Sequence, residues 1–114
     1  MKISVYFPKN MKVLLEKLKE VHSVASVSYI VEEAVKYFVG LPYDIEMHRE
    51  LNFTIEKKLA TRNCFRLSRN IPTTFSFCTL TKGNLEHYAN KNWIDVKILL
   101  RQAVANYLNL SYGG

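Results

Sequence analysis

Apolar and polar residues alternate over the first seven positions, MKISVYF, placing Ile3, Val5 and Phe7 on one face and Lys2, Ser4 and Tyr6 on the other, and Pro8 closes the run. A period of two over this length predicts a short, half-buried strand. The period then changes. Met11, Leu14, Leu15, Leu18 and Val21 recur at three- and four-residue spacing, with Lys12, Lys17, Lys19 and Glu20 on or near the other side. That spacing predicts an amphipathic helix whose first turn suits the fixed φ of Pro8. HSVASVS interrupts it with three serines, and Ser26 is the predicted N-cap of a second helix from Val27 to about Val39. This helix carries Ile30, Val31, Ala34, Val35 and Phe38 on its apolar stripe and stops at Gly40.

Alternation returns in TTFSF, with Phe75 and Phe77 inward and Thr74 and Ser76 outward, although the pattern also allows this strand to extend through Thr79 to Leu80. Leu85, Tyr88 and Ala89 predict a shorter helix after Thr81, and Asp95 a cap for a last one. Laying Ala103-Val104 over Ala34-Val35 sets Leu99 and Leu100 opposite Ile30 and Val31, Tyr107 opposite Phe38, and Asp95 opposite Ser26. The two ends of the chain thus share a pattern of strand, helix, turn and helix more than they share residues. Between them, Ile45, Leu51, Ile55 and Leu59 recur at loosely helical intervals behind Pro42 and a capping Asp44, which predicts a linker helix. TRNCFRLSRNIP follows as a basic loop containing Arg62, Arg66 and Arg69 and no acid. The chain therefore divides at 1–40, 41–72 and 73–114 within one compact domain.

Composition narrows this picture. With 114 residues, only 4 Gly and 3 Pro, the chain has the size of one small domain and allows long helical runs, so a mainly α fold is expected. No run approaches the roughly 18 to 20 apolar residues of a membrane span, and no apolar signal core opens the chain, so a cytoplasmic protein is expected, with no membrane partner. Cys64 and Cys78 lack CxxC spacing and read as free thiols, while His22, His48 and His87 stand far apart with no carboxylate or thiol at ligand spacing. No catalytic residue, metal, cofactor or small-molecule substrate is expected, and the chain does not read as an enzyme. Trp93 and the tyrosines read as core and rim rather than as a base-stacking platform. The net charge of +6 favours a polyanion, and because 1–40, 41–72 and 73–114 each net +2, no single tail accounts for it.

One strand and two helices in roughly 40 residues cannot bury their own apolar stripe, so the first unit requires a partner copy. A polar N-terminal strand, an amphipathic helix, a Ser-x-Ser turn and a second helix ending in Ala-Val-x-x-Phe resemble the ribbon-helix-helix DNA-binding family, whose Met-repressor and Arc-type members pair two copies through an antiparallel two-stranded ribbon. The resemblance covers nearly everything outside 41–72, and is closer in the first copy than in the second. It implies two ribbon-helix-helix motifs joined by a linker helix into an intramolecular pseudo-dimer, mainly α with a two-stranded antiparallel ribbon.

The implied function is sequence-specific binding of double-stranded promoter or operator DNA and transcriptional regulation, by repression. Lys2, Ser4, Tyr6, Thr74 and Ser76 would read bases; the plainer alternative is that any half-exposed strand turns polar residues outward. Since the two strands differ, an asymmetric site is expected. Ser26, Val27 and Ser28, with Lys97 opposite, begin the second helices, where relatives anchor to phosphate; Arg62, Arg66 and Arg69 would add phosphate contacts beside the ribbon. Asp95 would repel phosphate, so the first copy, together with Lys97, is expected to clamp better. Two other classes compete: an antitoxin-like protein-binding module, which would carry a partner-binding tail where SYGG follows the last helix, and an architectural protein coating DNA without sequence preference. Apolar residues of the linker helix would also let neighbouring chains associate on tandem sites.

Overall fold

The computed structural model describes residues 1–59 and 69–110, with the side chains of residues 58 and 59 outside that description. Arg62, Arg66 and Cys64 therefore lie outside the described residues. The elements run β1 (Lys2–Pro8), α1 (Lys9–Val21), α2 (Val27–Val39), α3 (Ile45–Thr54), a π-helical turn (Ile55–Leu59), β2 (Asn70–Ser76), α4 (Thr79–Lys91) and α5 (Val96–Tyr107). Among the described residues the fold is mainly helical, with one antiparallel sheet of two strands.

Helix boundaries follow their local chemistry. Pro8 has the φ of a helix (−57) but an extended ψ of 129, so it ends β1 as the residue before α1, which begins at Lys9. Ser26 Oγ accepts from Tyr29 N at 3.1 Å and caps α2. Gly40, at φ 84, terminates α2 in the left-handed conformation glycine favours. Asp44 caps α3 by accepting from Met47 N, and Asp95 caps α5 by accepting from Lys97 N. The α1–α2 turn places Ser23 at φ 53 and closes through Val24 N to Lys19 O; the α4–α5 turn repeats this with Trp93 at φ 56 and Ile94 N to Ala89 O.

The core lies between α2 and α5, which pack on one another through fully buried Ile30, Val31, Ala34 and Val35 on one side and Leu99, Leu100, Ala103 and Val104 on the other. Packing crosses the chain's midpoint. α2 also touches α4 and β2, while α5 also touches α4 and β1. Phe7 and Phe75, both buried, meet edge to face at 5.1 Å beneath the sheet. The largest fully enclosed side chains come from both ends of the chain, Phe7, Met11 and Leu15 with Phe75, Leu99 and Tyr107.

Four expectations change. Val21 stays 52% exposed: it is the last residue of α1, and the buried stripe of that helix ends at Leu18. β2 starts at Asn70, three residues ahead of TTFSF, so Asn70, Ile71 and Pro72 belong to the strand and not to the loop before it. It ends at Ser76; Thr79 and Leu80 open α4, which starts two residues before Thr81. Trp93 is neither core nor rim: at 96% exposure it stands in solvent at the tip of the α4–α5 turn.

Candidate nucleic-acid interface

The register pairs Lys2 with Ser76, Ser4 with Thr74, Tyr6 with Pro72, and Pro8 with Asn70. Each of Lys2, Ser4, Tyr6, Pro72, Thr74 and Ser76 is exposed, while the alternate Val5, Phe7, Thr73 and Phe75 are buried. One face of the ribbon therefore seats on the helices and the other forms a continuous outward row. Pro72 has no N–H to give the ladder, and Ser76 N–H leaves the ladder to donate to Ser28 Oγ at 3.0 Å. Both facts assign the outward row to the non-hydrogen-bonded pairs, in which facing side chains come closest. Ser4 Oγ and Thr74 Oγ1 lie 3.1 Å apart at its centre, one hydroxyl donating to the other.

The five residues expected to read bases are thus brought together, and Pro72 joins them. Pro72 escapes a reading by alternation because a proline ahead of TTFSF resembles the end of a loop; its tolerance on an edge strand is the signal that admits it. The ends of the ribbon are held tightly. Phe77 N donates to Met1 O at 2.7 Å at one end, and Lys9 N donates to Arg69 O at 3.0 Å at the other. Arg69 and Lys9, both exposed, accordingly flank the Tyr6–Pro72 end, and periodicity alone does not single out Lys9.

Ser26, Val27 and Ser28 stand at the start of α2, tied to the Lys2–Ser76 end through the Ser28–Ser76 bond. The Ser28 hydroxyl accepts from the strand and keeps its own proton to donate. Lys97 is exposed at the start of α5, which packs on β1. Glu32, not anticipated, closes this corner: its Oε2 accepts from Cys78 N at 2.7 Å, capping α4 where the Cys78 side chain does not. Burial pushes the Glu32 carboxyl up, but hydrogen bonds from Cys78 and Thr81 and the Lys36 cation outweigh it and hold the group below its usual value. The carboxylate nearest this corner is thus spent on the protein's own backbone.

Several other titratable groups tie elements together. Buried Glu33 accepts from Asp44 N at 3.1 Å and lies 3.2 Å from Lys36 Nζ, fixing the start of α3 to α2. His48 stacks on Tyr107 at 4.2 Å and contacts Tyr107 O through Nε2 at 2.7 Å, and His22 Nε2 lies 2.7 Å from Thr54 Oγ1. No group of three or more His, Cys, Asp or Glu side chains among the described residues is placed to hold a metal ion, and none of the described helices is long and apolar enough to cross a membrane. No protein-family model, curated protein or solved structure matches the chain.

Proposed function

We propose that this chain is a sequence-specific regulator that lays its outward ribbon face in the major groove of double-stranded DNA, and that it does so as two ribbon-helix-helix copies folded into an intramolecular pseudo-dimer. The observation that carries this reading is the strand register. Thr79 opens α4 70 residues after Lys9 opens α1, and the same offset takes Ser23 to Trp93 and Ser4 to Thr74. Ser4 and Thr74 are also the residues that face each other. Each copy's strand therefore pairs with its counterpart about a common midpoint, as a two-fold ribbon requires. Past the second turn the offset falls to 69, Val27 to Val96, because the α4–α5 turn is one residue shorter.

Size and chemistry agree with the groove. Two strands about 4.8 Å apart fit a groove about 12 Å wide, and the hydroxyl, ammonium and phenol groups of the row match donors and acceptors on base edges. The +6 charge supplies the attraction to phosphate, and the start of α2, tied to one end of the ribbon through Ser28 and Ser76, offers N–H groups to the DNA backbone. Occupying a promoter in this way would repress transcription by exclusion.

The test is a footprint on a site obtained from the chain's own source of DNA. Lys2→Ala combined with Ser4→Ala and Tyr6→Ala should erase the protected site while leaving the melting temperature nearly unchanged, since all three side chains are exposed. An unaltered footprint from the triple variant would remove the ribbon from the interface. Equal affinity of the parent protein for scrambled duplexes would favour a DNA-coating protein instead.

A further inference from the structure

The two ends of the ribbon carry different chemistry, and the register shows how. Were the copies identical, the pair at one end would repeat at the other. Instead Lys2 and Ser76 face each other at one end, an ammonium opposite a hydroxyl, whereas Tyr6 and Pro72 face each other at the other, a phenol ring opposite a pyrrolidine ring in a non-hydrogen-bonded pair, where strands approach most closely. Tyr6 is 62% exposed and Pro72 is exposed, so the pair presents mainly carbon surface in the outward face, with the Tyr6 hydroxyl as its one polar side-chain group. The centre between them is neutral: Ser4 and Thr74 satisfy each other in part by their mutual hydrogen bond.

Resting on the proposed DNA-binding role, we infer that the operator is bipartite, with the Lys2–Ser76 end reading guanine and the Tyr6–Pro72 end reading the C5-methyl group of thymine. A lysine ammonium donates well to the paired acceptors O6 and N7 of guanine, and an apolar surface discriminates thymine through its methyl group. The phosphates beside each arm meet different groups as well. Ser28, hydrogen-bonded to Ser76, lies beside the guanine arm, and Arg69 with Lys9 lies beside the thymine arm. The ribbon therefore fixes the protein's direction on the duplex, a property a symmetric dimer lacks.

The experiment uses the full chain and a duplex chosen by selection from random sequence, with affinity read by fluorescence anisotropy. Replacing the thymines of one arm by deoxyuridine removes only methyl groups, and replacing the guanines of the other by 7-deazaguanine removes only N7. Each replacement should weaken binding by about tenfold in its own arm and leave the opposite arm unaffected. Tyr6→Ala should abolish the response to deoxyuridine but not to 7-deazaguanine, and Lys2→Ala the converse. A selected site with two like arms, or a replacement that acts equally in both arms, would overturn the bipartite assignment while leaving DNA binding intact. Absence of any duplex binding would overturn the functional proposal along with it.

Discussion

Trp93 occupies a position that costs the protein stability. A bulky residue at φ 56 is strained by about 1–2 kcal/mol, and at 96% exposure it recovers none of this through packing. Trp93→Gly should therefore raise stability by about 1 kcal/mol, measured as a shift of the urea midpoint at constant slope. Gly40→Ala should do the reverse by a similar amount, because its φ of 84 is unfavourable for alanine although nothing lies within 4 Å of the added carbon. Glu32 makes a pH-dependent contribution. Its carboxyl is held lower in the folded chain than in the unfolded one, so its stabilisation is complete above the unfolded value and is lost as pH falls through the folded one. The stability gap between the parent and Glu32→Gln should be widest near neutral pH and should close in acid; a gap independent of pH would contradict the Cys78 contact.

At the scale of elements, α2 and α5 were the most legible, since four buried positions in each recur at helical spacing and Ser26, Gly40 and Asp95 mark their limits. The outward residues Lys2, Ser4 and Tyr6 of β1, and Thr74 and Ser76 of β2, were readable from alternation. What the sequence concealed was pairing. Pro72 masked the start of β2, and only the register shows that Ser4 meets Thr74 and Tyr6 meets Pro72. Nor does any local pattern reveal that Ser28 and Glu32 of α2 reach residues more than forty positions away. Alternation cannot report such contacts because they depend on how the helices pack. Beneath the ribbon, Phe75→Ala should cost about 3–5 kcal/mol, since a fully enclosed ring is removed from its contact with Phe7. Thermal melting followed by circular dichroism would measure this loss, and a shift smaller than that of Trp93→Gly would place Phe75 outside the core.

The whole molecule is interlocked across its midpoint. α2 relies on α4, α5 and β2 from the other end of the chain, so a fragment covering residues 1–44, held at a concentration where sedimentation shows it monomeric, should show no cooperative melting, and a cooperative transition in the monomeric fragment would refute the shared core. Binding to DNA should weaken with salt along a straight line of log affinity against log salt, with a slope set by the number of phosphates neutralised. The central claim is that an outward row on one ribbon selects a DNA sequence. Its most direct measurement is binding-site selection from a random duplex library, carried out side by side with the parent chain and with the variant in which Lys2, Ser4 and Tyr6 are all alanine. The account predicts a single enriched motif with two unlike arms for the parent and no enriched motif for the equally folded variant; the same motif from both proteins, or none from the parent, would contradict it.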